Sequence, residues 1–155
     1  MLAERLASLS LSAAGDRSPS IHSLPRALLS IILLLVPVET RLRCSEVSRA
    51  WRALLADTIF WERLGFSDMT RQRFSEALFV AAVVKAGGQL RELDVRGKFS
   101  FEPPLLTQPA LMAAVVANSR TLRRLRLCSR FDGAVPRDTV AELCVAAPGL
   151  QNLQT

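Results

Sequence analysis

The second half of the chain repeats one apolar pattern three times without gaps. Each copy has a helix-like apolar block, and the first leucine of a Leu-x-x-Leu-x-(Val/Leu/Thr) motif follows six residues after the block ends. The blocks and their motifs lie at residues 80–84 and 90–95, 112–116 and 122–127, and 140–144 and 150–155. A unit of this kind cannot bury its own apolar face, so the units must stack on one another.

Each unit is predicted to be a helix, a short turn and a strand. The strands then run parallel and line one concave face, while each helix returns across the back of the sheet. Pro109 and Pro136 precede the second and third helices, where proline is tolerated. Cys128 and Cys144 are expected to be small buried residues. The pattern therefore predicts a short α/β stack over residues 77–155.

The region before the repeats carries signals for short helices. Ser23 is predicted to be an N-cap, and Pro25 suits the first turn of the helix that follows. Pro37 ends this helix because it lacks an N–H group, and a second segment begins at Arg41. A last helical turn is predicted over residues 59–64, stopped by the glycine that follows. The apolar side of the second segment is predicted to consist of Leu42, Val47, Trp51, Leu54 and Leu55.

In combination these residues resemble an F-box. The matching positions are Leu24-Pro25, Leu28-Leu29, Ile32-Leu33, Val47-Ser48-Arg49-x-Trp51-Arg52 and Phe60-Trp61-x-x-Leu64. Trp51 lies 27 residues after Leu24, which is the spacing of the family pattern. The chain departs from that pattern at Ala27, where the family usually has an acidic residue, and at Arg41, where an apolar residue is common.

The repeated half resembles leucine-rich repeats of the longer, 28-residue type. The Asn or Cys that this family usually has shortly after the strand is matched only by Cys128, in the second copy. The two resemblances imply a mainly α F-box helical module followed by a short α/β leucine-rich-repeat solenoid. The expected division is a flexible leader over residues 1–20, an F-box over 21–68, and about three repeat units over 69–155, the last one incomplete. Since no capping unit follows the third copy, we expect the sequence to be a fragment of a longer repeat protein.

Composition excludes several kinds of site. The single histidine, His22, makes a Ser-His-Asp triad or a Cys/His zinc site hard to build. The three cysteines lie far apart with no metal-binding spacing, so we expect neither a disulfide framework nor an oxidising compartment. The uncharged apolar stretch Ala27–Val38 has 12 residues, well short of the ~20 that a membrane-spanning helix needs. No nucleotide-binding or hydrolase motif is found, and we expect no catalytic residue, metal or cofactor.

A group of arginines in the second repeat stands out in a chain of net charge +6. Arg124 and Arg126 alternate with the inward leucines and are expected on the concave face. The group forms either a solvated basic face or a site for an acidic or phosphorylated partner, because guanidinium binds carboxylate and phosphate through two hydrogen bonds. Glu92 and Asp94 are predicted to lie on a solvated face. The full cluster comprises Arg120, Arg123, Arg124, Arg126 and Arg130.

The resemblances imply a substrate-recognition adaptor of a Skp–cullin–F-box ubiquitin ligase in the cytoplasm, the nucleus or both. The F-box would dock on the Skp adaptor, and through it on cullin, while the repeats would hold a substrate protein, with Arg124 and Arg126 as candidate contacts. The alternative is a basic nucleic-acid-binding protein that uses the Arg120–Arg130 cluster, although the aromatic residues that such surfaces usually carry are missing. The residues that match the adaptor-binding motif are Leu24, Pro25, Leu28, Leu29, Ile32, Val47 and Trp51.

Overall fold

The structure is a computed structural model that describes residues 21, 24–98, 105–127 and 137–155. The predicted leader over residues 1–20 lies outside the described residues, as do Ser23, His22, Cys128 and Arg130. Pro136 also lies outside them. The chain divides into two compact units, residues 1–34 and residues 35–155.

One long helix accounts for most of the described part of the first unit. Helix α1 (Arg26–Leu35) begins just after Pro25, whose carbonyl accepts a hydrogen bond from the Leu29 N–H at 3.1 Å. The helix ends two residues before Pro37, as the missing N–H of that proline predicts.

The second segment, predicted to begin at Arg41, begins earlier and consists of two helices. Helix α2 (Val38–Val47) begins directly after Pro37, and helix α3 (Arg49–Leu54) follows. Between them Ser48 is extended, with φ −145° and ψ 150°, and its Oγ accepts a hydrogen bond from the Trp51 N–H at 3.1 Å. A serine side chain that competes for backbone groups in this way favours a new N-cap over a continuous helix.

The prediction of a helical turn over residues 59–64 is wrong in its second half. A 3-10 turn covers Thr58–Phe60, but the next residues form strand β1 (Arg63–Gly65). The Glu62 carbonyl accepts hydrogen bonds from Arg91 N and Glu92 N at 2.7 and 3.0 Å. Pairing with a neighbouring strand overrides the local helical pattern here.

The helices and strands of the repeated half occur where the sequence predicts them. The apolar blocks lie within helices, and each leucine motif contains a strand of three residues. Pro109 lies in the first turn of its helix, not before it. The elements are α4 (Glu76–Ala86), β2 (Glu92–Asp94), α5 (Gln108–Ala117), β3 (Arg124–Arg126), α6 (Arg137–Ala146) and β4 (Asn152–Gln154).

The four strands form one small parallel sheet in chain order, β1-β2-β3-β4. Leu64, Leu93, Leu125 and Leu153 are register partners across it, and the first three are buried. Because parallel neighbours need crossover connections, α4, α5 and α6 return along one face and bury that leucine row. Its other face, here called the open face, has a groove that, among the described residues, is lined by strand residues alone. Among the described residues, no helix has both the length and the apolar character to cross a membrane.

The core of the second unit extends from the F-box-like residues into the repeats. Trp61 is fully buried, and its indole N–H donates to the Leu55 carbonyl at 2.8 Å. Phe66 follows β1 and lies with its ring centroid 5.6 Å from the ring centroids of Phe74 and Phe79. The predicted boundary between residues 68 and 69 is therefore crossed by both the sheet and an aromatic cluster.

Candidate functional site

Helix α1 exposes a stripe of large aliphatic side chains. Leu28 and Ile32 are 49% and 39% exposed, whereas Leu33 on the opposite side is only 2% exposed. Residues three, four and seven positions apart on a helix share one side, so Leu28, Ile31, Ile32 and Leu35 form a single row, and Leu34 beside this row is 45% exposed as well. Monomeric proteins rarely expose contiguous apolar surface of this kind, which makes it a candidate binding surface. The exposed stripe consists of Leu28, Ile31, Ile32 and Leu35.

The predicted adaptor residues of the first unit fall partly on this stripe. Leu28 and Ile32 belong to it, Pro25 is exposed ahead of the helix, and Leu24 and Leu29 are half-buried. Sequence reasoning missed Ile31 and Leu35 because they are not motif positions. Their spacing from Leu28 was the signal that could have identified them.

The other two predicted adaptor residues lie in the second unit. Trp51 is half-buried in α3, and Val47 ends α2 with 76% of its surface exposed. Val47 was predicted on the apolar side of the second segment together with Leu54 and Leu55, but its side chain is exposed and theirs are buried. The break at Ser48 changes the helical phase, so only the residues after it, Leu54 and Leu55, are buried.

Arg41, which stands where the F-box pattern usually has an apolar residue, is part of the core. Its guanidinium carbon lies 5.6 Å from the centre of the Trp61 ring, and one of its terminal nitrogens donates to the Phe60 carbonyl. Burial lowers the pKa of Arg41. The cation–π contact and the carbonyl let a charged residue take an apolar position.

The open face of the sheet carries a ladder of charged side chains. Glu92 is flanked by register partners on both sides, Arg63 on β1 and Arg124 on β3. Glu92 Oε1 lies 2.7 Å from a terminal nitrogen of Arg124 and 3.5 Å from Nε of Arg63. Directly opposed charges of opposite sign stabilise neighbouring strands.

A second row repeats this arrangement two residues further along the strands. Asp94 has Gly65 and Arg126 as register partners. Its Oδ2 lies 2.7 Å from a terminal nitrogen of Arg96 and 3.8 Å from one of Arg126. Each carboxylate is therefore paired with two guanidinium groups, so that the two acids share four arginines.

The predictions for these charges need two corrections. Arg124 and Arg126 do not form a basic patch without acids, because each is paired with a carboxylate of β2. Glu92 and Asp94 are half-buried and ion-paired and do not simply face solvent. The alignment of the repeats could have predicted these ion pairs, because residues 92 and 124 are equivalent positions of neighbouring units. Residues 94 and 126 are equivalent in the same way.

Within the larger arginine cluster, Arg123 has a backbone partner, and Arg130 lies outside the described residues. Arg123 donates from a terminal nitrogen to the Gly149 carbonyl at 2.9 Å, which ties it to the next unit.

The groove between the charged rows has a volume of about 170 Å³. Small-molecule pockets are usually roughly 300–1,000 Å³, so this groove is smaller than a usual cofactor pocket.

Two described cysteines are free thiols in different settings. Cys44 is half-buried on α2, and burial raises the pKa of its thiol. Cys144 is exposed, so the prediction that it is buried is wrong. It occupies the last position of its apolar block, equivalent to Val84 and Val116, and this position points away from the sheet in all three units. Within the described ranges, no three His, Cys, Asp or Glu residues are grouped so as to hold a metal ion.

Comparison with known families identifies the region that carries the apolar stripe. A family model described as F-box-like matches residues 21–67, which include α1, α2, α3 and β1. Residues 21–67 thus form an F-box-like domain, which supports an F-box protein. Domains of this class are typically non-catalytic adaptor modules, and they suggest a Skp-binding ubiquitin ligase adaptor.

Proposed function

We propose that this chain is the substrate-recognition subunit of a Skp–cullin–F-box ubiquitin ligase. The observation that carries the proposal is an F-box-like domain whose first helix exposes an unbroken aliphatic stripe. Such a subunit needs no catalytic residue, since it accelerates transfer by holding the substrate near the ubiquitin-charged enzyme. Its working compartment is the cytoplasm, the nucleus or both.

The Skp adaptor binds the apolar stripe of α1 in this proposal. Burying its aliphatic side chains against an apolar partner gives roughly 1.5–3 kcal/mol for each side chain that is fully covered. Val47 and Trp51 are the other two proposed adaptor-binding residues. The complete set of adaptor-binding residues is Leu24, Pro25, Leu28, Leu29, Ile32, Val47 and Trp51.

The substrate binds the open face of the sheet, and the helix–strand units are leucine-rich repeats. Support for this comes from the parallel strands in chain order and from the charged rows that face away from the helices. Arg124 and Arg126 are the proposed substrate contacts. Because four arginines share two carboxylates there, the face keeps an excess of positive charge that favours an acidic or phosphorylated segment.

Affinity purification from cells with mass spectrometry tests both parts of the proposal. The wild-type chain is expected to recover the Skp adaptor, cullin and a set of further proteins. Ile32→Asp should lose the adaptor and cullin together, while the exposed Val145→Asp, outside the F-box-like range, should keep both. The pair Arg124→Glu and Arg126→Glu should keep the adaptor and lose part of the further set. Recovery of no adaptor by the wild type would refute the proposal.

A further inference from the structure

The charged ladder of the open face is interrupted at Gly65. In the first row Glu92 lies between two arginines, whereas in the second row Asp94 has Gly65 as its partner on β1. Among the described residues, no heavy atom beyond the chain neighbours of Gly65 lies within 4 Å of the place that a β-carbon would take there. A glycine inside a strand often marks a place where a ligand or another chain approaches closely. We name this space, which is part of the groove of the open face, the Gly65 notch.

Two of the four guanidinium groups at the ladder are loosely paired. Arg124 and Arg96 each lie 2.7 Å from a carboxylate oxygen of β2, which is hydrogen-bond length. Arg63 and Arg126 lie 3.5 and 3.8 Å from the same two carboxylates, which is longer than an N–H···O hydrogen bond. Because the two close pairs already neutralise the carboxylates, Arg63 and Arg126 can turn N–H groups to a ligand.

The loosely paired arginines border the Gly65 notch on two sides. Arg63 precedes Gly65 by two residues on β1, so both residues are on the open face. Its side chain is 77% exposed. Arg126 lies in the same row as Gly65, on the far side of Asp94. An anionic group in the notch would therefore have a guanidinium group on either side.

The carboxylates of β2 determine which anion suits the notch. A glutamate or aspartate of a partner carries one charge and two oxygens, as Glu92 and Asp94 do, and gains little in competition with them for the same arginines. A phosphoryl group carries about −1.5 to −2 charges at pH 7 and has three strong acceptor oxygens. These oxygens accept charge-assisted hydrogen bonds from two guanidinium groups at once. The notch therefore favours a phosphorylated side chain over an acidic one.

We propose that the Gly65 notch is a subsite for one phosphorylated side chain of the substrate, bound by Arg63 and Arg126. This inference rests on the proposed function, because it names the class of segment that the open face binds. Arg63 thereby joins Arg124 and Arg126 among the substrate contacts. Since Arg63 and Gly65 belong to residues 21–67, the F-box-like range itself supplies part of the substrate site.

Binding of the purified full chain to peptide arrays tests this subsite. The peptides have randomised flanks around one fixed central residue, which is phosphoserine, aspartate or serine. We expect a subset of the phosphoserine peptides to bind at least about tenfold more tightly than their aspartate and serine counterparts. Equal binding of phosphoserine and aspartate peptides, or no binding of any phosphoserine peptide, would overturn the proposal.

Substitutions at the notch separate a shaped subsite from a merely basic surface. Gly65→Val fills the notch without changing any charge, and valine suits a strand. Gly65→Val and Arg63→Gln should each weaken the best phosphoserine peptide at least about tenfold in fluorescence polarisation. Asn152→Val is the control for the first, because Asn152 is an exposed residue of β4 on the open face. Arg120→Gln is the control for the second, because Arg120 is exposed outside the groove lining. Both controls should bind like the wild type.

Adaptor binding, measured on the same preparations, distinguishes failure of this inference from failure of the proposed function. Circular dichroism melting curves that match the wild type show that the variants remain folded. A folded Gly65→Val or Arg63→Gln variant that binds the peptide normally would overturn the subsite. A wild type that binds the Skp adaptor but does not prefer phosphoserine would overturn the subsite alone. A wild type that prefers phosphoserine but does not bind the adaptor would refute the proposed function and leave the phosphoryl site standing.

Discussion

A single buried amide side chain joins two of the helix–strand units. Asn118, directly after α5, is almost fully buried. Its Nδ2 donates to the Ala114 carbonyl at 2.8 Å, and its Oδ1 accepts from the Leu90 N–H of the preceding unit at 3.0 Å. Leu90 is buried as well, so its backbone N–H depends on this one carbonyl oxygen. Asn118 is thus a stabilising residue of the stack.

Replacing Asn118 by leucine should be costly in spite of the similar size of the two side chains. The Leu90 N–H would remain buried without an acceptor, which lowers the free energy of unfolding by about 1–3 kcal/mol. Urea denaturation of the full chain measures this loss. The neighbouring Ser119→Ala is the control and should stay within ~0.5 kcal/mol of the wild type. Equal stability of Asn118→Leu and wild type would contradict the role assigned to the amide.

At the scale of elements, one carboxylate holds α2 against the turn before α4. The Glu39 side chain is 7% exposed and lies 2.8 Å from a terminal nitrogen of Arg43 and 2.7 Å from one of Arg73. Nε of Arg73 donates to the same carboxylate at 2.9 Å. Arg43 is one helical turn away on α2, whereas Arg73 comes from a distant part of the chain. A carboxylate buried to this degree is costly unless it has such partners.

Glu39→Gln should therefore destabilise the second unit. The neutral amide keeps the shape of the side chain but leaves two guanidinium groups without their carboxylate, and we expect a loss of roughly 1–3 kcal/mol in the free energy of unfolding. Glu46→Gln is matched to it, since Glu46 lies on the same helix and is exposed, and should change stability by less than ~0.5 kcal/mol. Chemical denaturation measures the free energy of unfolding of both variants. If Glu39→Gln and Glu46→Gln change it equally, the ion pairs of Glu39 do not contribute to stability.

The sequence predicts best those elements whose signal lies within the element itself and does not depend on a distant part of the chain. The apolar blocks of the three repeats lie within α4, α5 and α6, and Pro37 marks the end of α1 by its missing N–H. Strand β1 could not be predicted, because three residues with a helical pattern become a strand only when β2 lies beside them. The exposure of Val47 likewise depends on the helix break at Ser48.

The candidate sites show the same division. The motif positions Leu28 and Ile32 identify the stripe on α1 directly, because both side chains are exposed. The partners of Arg124 and Arg126 lie on a different strand, 32 residues earlier, so only the register of the sheet brings them together. Isolated stretches of sequence therefore suggested an unpaired basic face where the structure has an ion-pair ladder.

At the scale of the whole molecule, β1 links the F-box-like domain to the rest of the second unit. Leu64 lies within the range that matches the F-box-like family, and it is buried beside its register partner Leu93. Phe66 N donates to the Asp94 carbonyl at 2.8 Å and continues the pairing. Residues on either side of position 68 are therefore expected to lose their structure together.

Leu64→Ala tests this coupling. The substitution leaves a cavity in the leucine row and should lower stability by about 2–5 kcal/mol. Hydrogen exchange with mass spectrometry should then show faster exchange not only around residue 64 but also in peptides that cover β2 and β3. Ile59→Ala, at an exposed site of the same domain, should leave those peptides unchanged. Faster exchange confined to residues before 68 would show that the two regions fold independently.

The central claim is that the F-box-like domain binds the Skp adaptor through the stripe on α1. Isothermal titration calorimetry of the purified full chain with purified Skp adaptor tests it most directly, with Leu28→Asp and the exposed control Val145→Asp beside the wild type. We predict saturable binding of the wild type and of Val145→Asp with equal affinity. Leu28→Asp, which would bury an unpaired carboxylate in the interface, should bind at least about a hundredfold more weakly. Absence of binding by the folded wild type, or equal binding by a folded Leu28→Asp variant, would contradict the claim.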